Sequence, residues 1–155
     1  TNEAFLMPVD VTGSNIDAGI KLSYLYEQLT EYNSEKVTVF LDACFTGGAR
    51  GQGLFAARGV RVKPKNDFLR GNIVVFSASS GTESSMPWNE KNHGLFTYFL
   101  LKKIQKSKGN ISYNDLFGYL ELNVRRESLH VNSKNQTPKI LISPKAADIW
   151  ENWRL

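Results

Sequence analysis

A single cysteine in 155 residues excludes an internal disulfide framework and any multi-cysteine metal site, and it suits a reducing, cytoplasmic setting. Histidine is nearly as scarce, with only His93 and His130. No apolar run is long enough to cross a bilayer, so no membrane role is expected. The excess of basic over acidic residues is a modest +4, which describes a solvated surface rather than a nucleic-acid interface. With 41% hydrophobic and 22% charged residues, the chain has the composition of one ordinary globular domain spanning 1–155. No cofactor or metal site is expected, and no internal repeat or low-complexity segment interrupts the domain.

What is present concentrates around the one thiol. Val37, Val39, Phe40 and Leu41 form a continuous apolar run of the kind found in strands buried on both faces of a parallel sheet. Asp42, Ala43 and Cys44 follow at its carboxyl end, where open α/β sheets place their ligand sites. Gly47 and Gly48 then leave room for a backbone or substrate to approach. An isolated cysteine is often just a small buried hydrophobe. The adjoining acid, the glycines and the strand-end position make Cys44 a candidate nucleophile instead.

Along the chain, Phe5 to Met7 reads as a short strand. A helix is predicted from about Asp17, as its cap, to Tyr32, with Leu22, Leu25, Tyr26 and Leu29 at helical spacing. Gly47 to Asp67 is a long, glycine-rich connection, and Phe45 to Asn66 carries Arg50, Arg58, Arg61, Lys63 and Lys65 without one Asp or Glu. Asn72 to Ser77 repeats the buried-strand signature and ends in the small-residue turn Ala78-Ser79-Ser80-Gly81. Leu95 to about Gln105 is predicted as a helix with Leu95, Tyr98, Leu101 and Ile104 on one face. Ser112 and Asp115 have capping-box-like spacing at the start of another helix. Lys139 to Ile142 closes as a strand, and Ala146 to Trp153 reads as a short helix. This rhythm predicts an α/β fold with a parallel sheet covered by helices.

The segment LDACFTGG resembles the nucleophile motif of the caspase-like cysteine peptidases, the group of caspases, metacaspases and bacterial caspase homologues. FLMPVD at Phe5 to Asp10 is similar to the strand after the catalytic His-Gly turn of metacaspase-like members. FSASSGTESS, from Phe76, and NHGLFTYFLLKKI, from Asn92, resemble the small-subunit region of bacterial homologues, and the four pieces occur in the family's order. The resemblance implies a three-layer α/β/α sandwich with a mostly parallel central sheet, here lacking its amino-terminal strands. It divides the chain into a large-subunit remainder, about 1–50, a basic loop, about 47–67, and a small-subunit-like region, about 68–155.

It also implies a chemistry: a thiolate attacks the peptide carbonyl, an imidazole manages protons and backbone N–H groups hold the oxyanion. Cys44 is then the nucleophile, and its own amide is one oxyanion donor. The family's histidine lies about 50 residues before the cysteine. His93 reads as a local structural residue and His130 as a surface residue, and a papain-like order lacks its signature. The expectation is therefore a segment upstream of Thr1, an amino-terminal fragment and partner, that carries the catalytic histidine; the alternative is a silent interaction module using Trp150, Trp153 or the basic loop. Metacaspase-like members read Arg or Lys with acids, one of them two residues before the nucleophile, where Asp42 stands. Asp42 is either that specificity acid or a strand-end residue that orders the turn. Ser79 and Glu83, in the facing turn, are further candidates for the same pocket. Arg58, Arg61, Lys63 and Lys65 become possible autocleavage sites in peptide or protein substrates that include the chain itself.

Overall fold

The computed structural model describes residues 4–6, 8, 18–43, 69–80 and 83–155. Cys44 and the basic stretch with Arg58, Arg61, Lys63 and Lys65 lie outside them.

A three-stranded sheet organises the described residues. Strands β3 (Val37–Leu41), β4 (Ile73–Ser77) and β7 (Lys139–Ile142) lie in the order β3-β4-β7. β3 runs parallel to β4, pairing Val37 with Ile73 and Leu41 with Ser77; β7 runs antiparallel to β4, pairing Ser77 with Lys139. Among the described residues the sheet is thus mixed, with one parallel and one antiparallel pairing. The reason lies in the chain's path from β4 to β7. Two successive helices, α2 (Leu95–Ser107) and α3 (Tyr113–Asn132), take the chain down the sheet and back, so β7 enters from the end at which β4 left.

β4 is buried throughout, as its apolar run predicts, and pleating sends its side chains alternately into two clusters. Val74 and Phe76 pack with Leu95, Phe96, Phe99, Leu116, Leu120 and Val124 of the two long helices, with Phe40 and Ile140 against them. Ile73 and Val75 pack with Leu22 and Tyr26 of α1 (Leu22–Leu29), with Val37, Val39, Leu41 and Leu141 alongside. β3 is only half-buried, because β4 is its one strand neighbour among the described residues.

Three local predictions shift. The first helix starts at Leu22, behind Lys21 rather than Asp17, because β1 (Phe5–Leu6) and β2 (Ile20–Lys21) pair antiparallel and Leu22 N–H donates to the Ala4 carbonyl at 2.9 Å. Strand pairing overrides helical periodicity there. It ends at Leu29, where the Thr30 hydroxyl donates back to the Tyr26 carbonyl at 2.8 Å. In α2 the buried stripe is Leu95, Phe96, Phe99 and Leu100, while Leu101 is 49% exposed and Tyr98 and Ile104 flank the core. At the far end two 3₁₀ turns, Pro144–Ala146 and Trp150–Asn152, replace the expected helix. Trp150 is nevertheless core, and Trp153 meets the Tyr113 ring edge-on at 5.8 Å. Ser112 caps the second long helix as its spacing to Asp115 predicts: its Oγ accepts the Asp115 N–H at 3.1 Å and donates to Asp115 Oδ2 at 2.7 Å.

Candidate active site

β3 and β4 end together, and the Ala78 N–H extends their ladder to the Leu41 carbonyl at 2.8 Å. Asp42 follows directly. Its carboxylate reaches across to the start of α2, where Oδ2 accepts the Thr97 N–H at 3.2 Å and the Thr97 hydroxyl at 2.6 Å. Oδ1 accepts the Ser85 hydroxyl. Thr97 is the third residue of the helix, so its N–H is one of the four that no helical carbonyl satisfies. A side chain at the residue before Leu95 normally fills that role, but that residue is Gly94, with extended backbone and nothing to offer. Asp42 therefore caps α2 from another strand, 55 residues away in the chain. Three donors thus converge on this one carboxylate at the amino-terminal end of α2.

Gly94 is necessary to this contact. A Cβ built on it would lie 2.9 Å from the Asp42 carboxyl carbon and closer still to Oδ2. Gly94 is held in place by a short hairpin, β5 (Pro87–Trp88) paired with β6 (His93–Gly94), and by the Leu95 N–H, which donates to the Met86 carbonyl at 2.9 Å.

The other proposed pocket residues are less convergent. Ser79 is buried in the turn after β4, and its carbonyl accepts the Ser77 hydroxyl at 3.5 Å. Glu83 turns to the entry of β7, where its carboxylate accepts the Thr137 N–H at 2.6 Å and hydroxyl at 3.1 Å. His93 is exposed on β6, and His130 is exposed in the last turn of α3. No cluster of three or more metal-ligating side chains occurs among the described residues.

Four contributors escape a reading of the sequence alone. Thr97 and Ser85 matter only because the fold carries them to Asp42, although a glycine at the helix cap hints that the cap comes from elsewhere. Gln136 is fully buried beside the site: its Nε2 donates to the Ala78 carbonyl at 3.0 Å and its Oε1 accepts the Met86 N–H at 2.8 Å. Its own N–H donates to the Ser128 hydroxyl at 3.1 Å, which ties α3 into the network.

The parallel pair β3 and β4 leads directly into an acid that is locked to the start of a following helix, on a framework of mixed α and β elements. The caspase-domain family model matches residues 2–146, and the chain belongs to that family. Membership implies a cysteine peptidase, a hydrolase acting on proteins. No curated protein matches the chain. Among the described residues no helix is long and apolar enough to cross a membrane.

Proposed function

We propose that this chain is the Cys44-bearing part of an endopeptidase that cuts after Arg or Lys, as metacaspase-like members of the family do. The sulfur of Cys44 attacks the carbonyl of the bond to be cut, and the Cys44 amide is one of the donors to the resulting oxyanion. Asp42 receives the cationic side chain that precedes the cut. Ser79 is assigned a supporting place in the surrounding wall, and Glu83 braces that wall from outside the pocket through its hold on Thr137. The catalytic imidazole comes from residues outside this sequence, a reading supported by the exposed positions of His93 on β6 and His130 at the end of α3. The fold is read as a three-layer α/β/α sandwich, since β4 sends its side chains into a separate apolar cluster on each face.

The observation that carries this reading is the Asp42 side chain held by hydrogen bonds from Ser85 and Thr97, two residues before Cys44 in the sequence. A carboxylate with fixed orientation matches the planar fork of a guanidinium far better than one free to rotate. Of the surfaces the rival reading of a silent module would use, Trp150 is only 9% exposed.

The basic stretch then has a function as a substrate. Arg58, Arg61, Lys63 and Lys65 are proposed as sites at which the chain cuts itself. The experiment pairs full-length protein with its Cys44→Ala variant on fluorogenic peptides ending in Arg, Lys or Asp, with fragment masses recorded in parallel. Turnover of the Arg and Lys peptides, lost with Cys44→Ala, is expected; preference for Asp, or equal rates in both proteins, overturns the reading. Activity that disappears in His93→Ala would instead identify His93 as the base.

A further inference from the structure

We propose that Thr97 is a specificity-positioning residue, which orients the Asp42 carboxylate toward a cationic substrate side chain; this rests on the reading of Asp42 given above. Asp42 sits past the end of β3, and its carboxylate is held by groups from later in the chain. Two of these contacts come from α2. Thr97 holds Oδ2 with two donors on one residue, N–H and hydroxyl, so the oxygen is gripped from two directions. Ser85 holds Oδ1. Two grips on one oxygen and a third on the other define the plane of the carboxylate, not merely its location. Charge-assisted hydrogen bonds of this kind are about twice as strong as neutral ones.

The arrangement spans the basic stretch. Asp42 precedes it, whereas Ser85 and Thr97 follow it by sequence. The acid and the groups that aim it therefore come from opposite sides of the proposed autocleavage segment. Recognition of a cation depends on both parts being docked, and Gly94 is the residue whose missing side chain permits the docking.

Thr97→Val isolates the effect. It keeps the β-branched shape and the N–H and removes only the hydroxyl donor, while Thr97→Ser keeps the hydroxyl. The substrates are two fluorogenic peptides differing only in Arg against citrulline, its uncharged isostere, assayed with full-length protein. Asp42→Asn sets the value of kcat/KM discrimination without the acid. In Thr97→Val the Arg-to-citrulline ratio is expected to fall about tenfold, the size of one charge-assisted hydrogen bond, mainly through KM for the Arg peptide. Thr97→Ser restores most of it. A Thr97→Val protein that melts at lower temperature yet keeps the full ratio shows that Thr97 is a helix cap only, which overturns the inference and leaves the Asp42 reading intact. A wild-type protein that does not distinguish the peptides, with Asp42→Asn unchanged, removes both.

Discussion

Glu83 grips Thr137 with both carboxylate oxygens, accepting the N–H at 2.6 Å and the hydroxyl at 3.1 Å. The contact ties the segment after the β4 turn to the residue two before β7, across 54 positions of chain. Glu83→Ala leaves the Thr137 N–H without its acceptor. We expect a loss of about 1–2 kcal/mol in urea unfolding, with the Arg-to-citrulline ratio unchanged. A changed ratio at unaltered stability would move Glu83 into the pocket itself.

Gln136 carries a larger stake because it is fully buried and makes three hydrogen bonds. Gln136→Leu is close in size but strands the Ala78 carbonyl and the Met86 N–H in an apolar interior. The expected cost is about 2–4 kcal/mol, since each buried group left unpaired bears its desolvation penalty. Chemical denaturation measures it, and a neutral substitution would mean that water replaces the amide.

Gly94→Ala places a methyl group into the Asp42 carboxylate. Overpacking of this kind costs about 1–3 kcal/mol, and cleavage after Arg should fall with it as Asp42 is pushed aside. Combining Gly94→Ala with Asp42→Ala makes room for the methyl. A double-mutant cycle is therefore expected to show strong non-additivity, whereas simple addition would place the clash elsewhere.

Tyr26 supplies a pH dependence. Burial in the cluster that α1 forms with Ile73 and Val75 of the sheet pushes its phenol up to about 12 from an ordinary 10. The folded state thus keeps the proton in a range where the unfolded chain releases it. The stability tied to this group is complete below pH 10 and is lost as the pH rises to about 12, on the order of 2–3 kcal/mol. Tyr26→Phe lacks that ionisation, so its unfolding free energy should decline less over the same interval. Parallel declines in the two proteins would refute the assignment.

Sequence alone was most informative where a local pattern has one physical solution. The runs at Val37 to Leu41 and Ile73 to Ser77 are apolar and short enough to read as strands, and both are strands, the second buried throughout and the first half-buried. Ser112 and Asp115 specify a helix start within four residues, and the helix starts there. In α2 the pattern is ambiguous, since Leu95, Phe96, Tyr98, Phe99, Leu100, Leu101 and Ile104 are all apolar enough to face inward. Only the position of α3 and the sheet selects the stripe. The direction of β7 is not written in its four residues but in the path of the two helices before it. Asp42 could be singled out by its distance from Cys44, yet its partners Ser85 and Thr97 are 43 and 55 residues on, and no short-range rule joins them. The basic segment and the thiol itself belong to the part of the reading that lies outside the described residues.

The complete burial of β4 affects how the molecule comes apart. Because its alternating side chains belong to both apolar clusters, neither cluster can melt without stripping one side of this strand. Amide protons at Val74, Val75 and Phe76 should consequently be among the last to exchange with deuterium, reporting the opening of the entire unit rather than of any one region.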